Sequence, residues 1–447
     1  MHERSTPRRW LILSHSYNMD GRAASQTVTD KIAHLVDEGI TPVVVSAVTG
    51  RKDTQIKHHQ LLPWGPSGLR FDFRHLVAKK FGRGWRYRIS TLLVSILLLP
   101  FIIIERLALG LTHHSSWTLS AYHKGKSLMA QDDFEVVYSS GGAWSAHQAA
   151  AMLKRKTGVT WIAEIHDPMV IRDDPQDDGT RPRNSRKDRY LQKVEETICR
   201  EADHVWWFTQ DALEYAKIRN PALASKGFVV LPGAEPPICH HYHEYSDTLN
   251  IAHFGSLTDD RSLGPVLRAL EKFFIDHPKA KTVMKIHTYG SDLDGVAKHV
   301  LEQLALPEII VNHGRLETDP LTGKSGRERV IEKMYEADVL LLLHGDYEWC
   351  AEYIPSKLYE YFWARRPVVA VTNRNAFLDQ LLAKHNSYIC HTHDEASILA
   401  TFEELWKDWQ ASNLRGFEGR PVSVHDAVRK ILDRVDHTES KVAAPDA

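Results

Sequence analysis

Cysteine is scarce: 447 residues carry four, Cys199, Cys239, Cys350 and Cys390, and no two stand in a CxxC pair. So few cannot staple a chain of this length, which points to a reducing compartment, the cytosol by default. No secretory leader is expected either. In "MHERSTPRRWLILSHSYN" only Trp10 to Leu13 are continuously apolar before Ser14 and His15, too short for a signal-peptide core, so no export is expected. Neither sign of charge is in excess. With 56 Lys and Arg against 57 Asp and Glu the formal net charge is -1, which gives no general attraction for nucleic acid, and none is expected as a partner. No internal repeat at a solenoid period is visible.

What is present is the composition of a folded protein, 43% hydrophobic and 25% charged, in a chain too long for one ordinary core. Apolar strand-like runs alternate with helical patterns almost from end to end, the signature of parallel sheets covered by helices on both faces. In the first half the predicted strands are "WLILS" (10–14), "TPVVVSA" (41–47), "EVVYSS" (135–140), "TWIAEI" (160–165), "HVWWFT" (204–209) and "FVVLP" (228–232), with helices over 24–38, 143–155 and 186–201. The aperiodic stretch "GAEPPICHHYHEYSD" (233–247) reads as a linker. A second series runs from "LNIAHFG" (249–255) through "KTVMKIHTYG", "EIIVNHG", "ADVLLLLHG" and "PVVAVT" to "SYICHT". The fold class is α/β, with two Rossmann-like doubly wound domains facing a central cleft where substrate would bind. The domains are expected at 1–236 and 248–415, with an amphipathic helix over 398–410 and a tail over 416–447 that is loose after Thr438.

One segment departs from the alternation. "TLLVSILLLPFIII" (91–104) is apolar but ends at Glu105 and Arg106, short of the about 20 residues that span a bilayer. Upstream, "KKFGRGWRYR" (79–88) places Lys79, Lys80, Arg83, Arg86 and Arg88 among Phe81, Trp85 and Tyr87. Cations for anionic head groups, rings for the interface and an adjoining apolar segment are what a monotopic membrane contact requires, so 79–112 is read as the membrane-contacting segment. The competing reading is a core helix, kinked or broken at Pro100.

The stretch "AEYIPSKLYEYF" (351–362) concentrates polar chemistry. Pro355 suits the first position of a helix, whose free N–H groups and positive dipole end then form an anion site to which Ser356 and Lys357 add a hydroxyl and a charge. A diphosphate fits there. Glu352 precedes the helix start and Glu360 lies five residues past Pro355, about 7.5 Å along the axis. Two carboxylates bracketing an anion site suit the hydroxyls of a ribose on one side and of a sugar on the other, which describes a nucleotide-sugar. A plain alternative is that Glu352 complements the dipole and Glu360 is solvated surface.

"EYIPSKLYE", from Glu352 to Glu360, resembles the E-x7-E element of the retaining GT-B glycosyltransferases of family 4, with the apolar strand of that family in "RRPVVAVT" (365–372). "HFGSLTDDRSLGPVLRALEKF" (253–273) and "IEKMYEADVLLLLHG" (331–345) look like its donor-domain elements. "SYNMDGRAASQ" (16–26) is similar to its glycine loop and "AEIHDP" (163–168) to its central strand ending in His. The resemblance implies an acceptor-binding first domain and a donor-binding second domain. It implies that Glu360 holds the nucleotide ribose, Glu352 contacts the donor sugar or its leaving phosphate, and Arg261 neutralises the diphosphate. The loop at Gly21 would approach the reaction centre and His166 would touch the donor sugar, so His166 and Glu352 are the catalytic candidates. The chain departs from the family in having one glycine in "DGRA", in Ser256 and Ser262 where many relatives carry Arg and Lys, and in the turn "LPGAEPP".

The reaction so implied is transfer of a hexose from a nucleotide-diphosphate sugar, with retention through front-face attack, to a membrane-associated, lipid-linked saccharide in bacterial surface polysaccharide synthesis. The protein would work in the cytoplasm, peripheral on the inner face of the membrane. No cofactor is expected and metal is not required: the only D-x-D, Asp292 and Asp294, reads as part of a capping box with Ser291. Two alternatives stay open, a soluble acceptor and a non-catalytic nucleotide-sugar-binding subunit. "CHHYH" (239–243) lacks the paired spacing of a zinc site, "RDDPQDDGTRPRNSRKDR" (172–189) reads as an exposed loop with acceptor contact as a minority option, and the pair Trp206 and Trp207 as strand core plus one ring facing the cleft.

Overall fold

The computed structural model describes residues 8–19, 22–82, 84–109, 115–141, 144–170, 186–237, 246–304, 307–346 and 349–442. The chain forms two compact units, Met1–Leu231 with Val424–Ala447, and Pro232–Ser423. The first unit contains, in chain order, β1 (Arg8–Leu13), α1 (Ala23–Asp37), β2 (Ile40–Ala47), β3 (Lys57–Leu61), α2 (Pro66–Phe81), α3 (Trp85–Leu109), α4 (Trp117–Met129), β4 (Val136–Gly141), α5 (Ser145–Thr157), β5 (Thr160–Ile165), α6 (Arg186–Glu201), β6 (His204–Trp207), α7 (Gln210–Arg219) and β7 (Gly227–Val229). Its strands are parallel, in the order β3-β2-β1-β4-β5-β6-β7. Leu11, Leu13, Val43, Val45, Val137 and Ala163 pack on one face, and Trp10, Ile12, Val44, Val136 and Ile162 on the other. Both faces are covered, which is why these strands read as unbroken apolar runs.

The second unit follows the same logic with β8 (Leu249–Gly255), α8 (Gly264–Asp276), α9 (Pro278–Val283), β9 (Met284–Gly290), α10 (Gly295–Leu304), β10 (Ile310–Gly314), α11 (Gly326–Glu336), β11 (Val339–Leu343), α12 (Lys357–Ala364), β12 (Val368–Thr372), α13 (Ala376–Lys384), β13 (Tyr388–His391) and α14 (Glu395–Gln410). Its parallel strands run β10-β9-β8-β11-β12-β13. In each sheet the winding reverses next to its first strand, between β1 and β4 and between β8 and β11. Doubly wound sheets bind their ligands at the carboxyl ends of those strands.

Three elements differ from the sequence reading. The expected tail is instead a helix, α15 (Val424–Val442), whose Ala427, Val428, Ile431, Leu432 and Val435 enter the core of the first unit beside Val28, Ile32 and Leu35 of α1. The apolar segment is longer than its fourteen-residue run, because α3 draws in flanking residues and carries Pro100 without a break, to become a helix long and apolar enough to cross a membrane. Trp206 and Trp207 are both core, one on each face of β6, since successive strand residues point to opposite sides.

Candidate functional site

The loop after β8 is folded tightly: Arg261 N–H donates to Thr258 O (2.8 Å) and Thr258 N–H to Arg261 O (3.3 Å) across Asp259 and Asp260. Asp294 anchors the next step, accepting from Ser262 Oγ at 2.7 Å while also capping α10 through Ala297 N–H at 2.8 Å. Ser291 takes no part in that cap. Its hydroxyl receives Leu257 N–H at 2.8 Å, so the expected capping box is replaced by a tie between two loops. The turn carries the Arg261 guanidinium to 5.9 Å from the centre of the Tyr353 ring.

Tyr353 links this loop to the segment before α12. It stacks on His344 with ring centres 5.9 Å apart, and its carbonyl accepts from His344 Nε2 at 2.9 Å and from Asn375 Nδ2 at 2.7 Å. His344 Nδ1 receives Asn373 N–H at 3.3 Å, which leaves the proton on Nε2. Burial lowers this imidazole to about 4, against a partial opposing effect of the Tyr353 carbonyl. Asn375 also donates to Cys350 O at 2.7 Å and caps α13 by accepting Leu378 N–H at 2.8 Å. One amide thus holds the short helical turn Cys350–Glu352, in which Glu352 is 3% exposed.

Ser356 is the N-cap of α12, which begins at Lys357, two residues after the predicted start at Pro355. The Ser356 side chain makes no capping bond. Glu360 faces inward from the first turn, 11% exposed, with Lys357 Nζ at 3.2 Å and Arg327 Nε of α11 at 3.6 Å. At the end of β8, His253 donates from Nδ1 to Leu341 O at 3.0 Å and is lowered to about 4, chiefly by burial and further by the charges of Arg261 and Lys357. Both cations therefore act on this one ring at the β8–β11 reversal. An open pocket of about 180 Å³ adjoins it, lined by Asp259, Asp260, Arg261, Arg268, His344 and Thr392 among others. Glu352, Ser356, Lys357 and Glu360 lie outside its lining.

In the first unit the site candidate is His166, directly after β5. Its Nε2 lies 2.9 Å from Glu164 Oε1 and 3.0 Å from Ser140 Oγ, and its ring stacks on Phe208. Glu164 is fully buried, with Lys31 Nζ at 3.1 Å from one oxygen and 3.2 Å from the other, and the Tyr138 hydroxyl donating to it. Burial would raise this carboxyl, but Lys31 and His166 outweigh it and hold it below its ordinary range. In the neutral imidazole the proton directed at Glu164 leaves Nδ1 as an acceptor.

No family model and no curated protein matches the chain. Solved structures do. A mutant of S. aureus TarM in complex with fondaparinux, α-GlcNAc-glycerol and UDP superposes with a TM-score of 0.57 at 10% identity, covering 98% of each chain. OtsA does so with 0.56 at 12% identity, over 98% of this chain and 100% of the other. UDP-GlcNAc 2-epimerase from Methanocaldococcus jannaschii gives 0.52 at 9%, over 96% and 99%. The fold is GT-B.

Within the GT-B architecture, Arg261, Lys357 and Glu360 fall in the second unit around the β8–β11 reversal, with Glu352 and Ser356 beside them on the segment that leads into α12. His166 belongs to the first unit. Gly21 and Arg83 lie outside the described residues, as do 172–185 and the histidines of 239–243. The remaining membrane candidates Lys79, Lys80, Trp85, Arg86 and Arg88 are all exposed, and among them Lys79 is tied back to the fold, its ammonium donating to the carbonyls of Val48 and Gly50. Sequence reasoning missed Lys31, Glu164, Arg327 and Asn375. Only Asn375, ahead of an apolar helix, carried a local sign, as an N-cap residue; the others are brought in by packing between distant elements.

Proposed function

We propose that this GT-B protein is a retaining glycosyltransferase that moves a hexose from a nucleotide-diphosphate sugar to a lipid-linked saccharide, in bacterial surface polysaccharide synthesis. It acts as a peripheral protein on the cytoplasmic face of the membrane, without a metal cofactor. The observation that carries the reading is the pairing of Lys357 with the Glu360 carboxylate at 3.2 Å in the first turn of α12, with Arg261 reaching Tyr353 of the segment that leads into that helix. Two cations near a helix start, beside a carboxylate, support reading this place as an anion site next to an acceptor for hydroxyls. The likeness to TarM, solved with UDP and a GlcNAc-glycerol, supports the same choice of ligand.

In this reading Glu360 takes the ribose hydroxyls, Arg261 and Lys357 meet the diphosphate, and Glu352 contacts the donor sugar or its departing phosphate. His166 accepts a sugar hydroxyl at Nδ1 while Glu164 fixes the ring. Rate enhancement comes from charge placed in advance around the leaving diphosphate, which stabilises the departing oxygen as the glycosidic bond lengthens. The leaving phosphate takes the acceptor proton on the same face, so configuration is retained.

The test is nucleoside diphosphate release from a panel of nucleotide-sugars, with and without bacterial lipid extract. Release that depends on lipid, with sugar recovered in the lipid fraction and the α or β configuration of the donor preserved, is the expected outcome. Return of an epimerised nucleotide-sugar would favour the activity named for the archaeal neighbour, and binding without turnover under every acceptor would favour a non-catalytic subunit.

A further inference from the structure

Helix α3 turns large apolar side chains outward. Toward α2 it presents Thr91, Val94, Ser95, Leu98, Ile102 and Glu105, the less exposed stripe, in which Ser95 Oγ accepts from Arg70 Nε at 3.0 Å and Glu105 Oε2 accepts Ser67 N–H at 2.9 Å. Away from α2 it presents Leu93, Ile96, Leu97, Ile104 and Leu107, with Leu97 69% and Leu107 73% exposed. A helix on the surface of a water-soluble domain buries its apolar stripe and shows its hydroxyls and charges. This one keeps Ser95 and Glu105 in the less exposed stripe beside Val94, Leu98 and Ile102 while large apolar side chains face outward, and only 6% of its most apolar window is buried.

The occupant of that face is set by what flanks it. At the amino end, exposed Lys80, Arg86 and Arg88 surround Trp85, whose ring lies under the Arg86 guanidinium at 5.5 Å. Cations with an interfacial ring beside a wide apolar surface complement an anionic bilayer. Length alone would let α3 span it, but its neighbour does not permit this. The two helices run antiparallel, joined from Ser67–Glu105 at one end through Arg70–Ser95 midway. α2 itself carries Arg70, Asp72 and Arg74 and is tied to the first unit by Lys79. A spanning α3 would carry that charged helix into hydrocarbon.

We infer that α3 lies in the plane of an anionic lipid bilayer, immersed by the face bearing Leu93, Leu97 and Ile104, with Lys80, Arg86 and Arg88 at the head groups, and does not cross it. This rests on the membrane-facing half of the reading above and is independent of its donor chemistry.

Leu93, Leu97 and Ile104 share one face, and Leu93 and Ile104 are about 16 Å apart along the helix. Spin labels at Leu93→Cys, Leu97→Cys and Ile104→Cys, in a Cys239→Ser background, are placed on vesicles of equimolar phosphatidylcholine and phosphatidylglycerol, and their depths measured by power saturation. One common shallow depth is expected, and a spread approaching 16 Å between the first and last overturns the inference in favour of a span. The full chain should sediment with these vesicles, Leu97→Glu with Ile104→Glu should abolish it, and Arg86→Gln with Arg88→Gln should weaken it about 25-fold. Failure to bind vesicles, with a dimer that the Glu pair dissolves, assigns the face to a second copy and overturns the inference. Nucleoside diphosphate binding, measured on the same samples, is expected to be unchanged in every variant, so a lost donor site is read apart from a lost membrane contact.

Discussion

A carboxylate sealed beneath a sheet persists as an anion only when its charge is answered, and Glu164 is answered by Lys31, His166 and Tyr138. Its folded pKa, about 2, lies below the ordinary 4.5, so the unfolded chain binds the extra proton first. The stability this contributes is complete above pH 4.5 and is lost as pH falls toward 2. Glu164→Gln should remove that slope and, by leaving Lys31 buried without its counter-charge, cost about 3–5 kcal/mol at pH 7 in chemical denaturation. If Glu360 takes the ribose as proposed, Glu360→Ala should weaken nucleoside diphosphate binding about ten-fold or more by calorimetry, the scale of a charged hydrogen bond of roughly 1.5–3 kcal/mol. Unchanged affinity for every base removes Glu360 from the donor site. The two acids differ in how far the sequence shows them. The place of Glu360 in the first turn of α12 was legible because its spacing from Pro355 is local. The partnership of Glu164 with Lys31 joins β5 to α1, 133 positions apart, and no local pattern encodes it.

At the scale of elements, Asn375 does two separable jobs, capping α13 with its oxygen and holding the carbonyls of Cys350 and Tyr353 with its nitrogen. Asn375→Asp keeps the cap and loses both donations. Its second oxygen then faces the carbonyls of Cys350 and Tyr353 in a site 2% exposed, so this variant should be less stable than Asn375→Ala by thermal denaturation, and equal or greater stability would deny the two donations their role. The strands were readable because both sheets are covered on both faces, which leaves "TWIAEI" and "LNIAHFG" bounded as they are seen in β5 and β8. Strand β3, "KHHQL", escaped because an edge strand need not be apolar. The extent of α3 escaped for another reason. The fourteen-residue count stopped at Glu105, yet a helix continues through a charged residue whenever a neighbour receives it, as Ser67 does here.

For the whole molecule, the first unit is discontinuous in sequence. The apolar spacing of Val424, Val428, Ile431, Leu432 and Val435 follows a helical period and was there to be read, but polar flanks and position near the last residues suggested a tail. Removing 424–447 should uncover the α1 surface and cost the first unit about 6–12 kcal/mol, the burial of Val428, Ile431, Leu432 and Val435 against its core. A fragment of residues 1–231 is expected to aggregate, and to recover a cooperative thermal transition when a peptide covering 424–442 is added. A stable 1–231 on its own would show that α15 only decorates the unit.

The same discontinuity sets an order of events during synthesis. A ribosome releases the strands of the first sheet early, then takes roughly 10–40 s to translate the second unit before the helix that completes the first one emerges. Any product that ends prematurely is left with an unfinished amino-terminal half and a bare apolar face, a ready mark for chaperones and proteases to recognise.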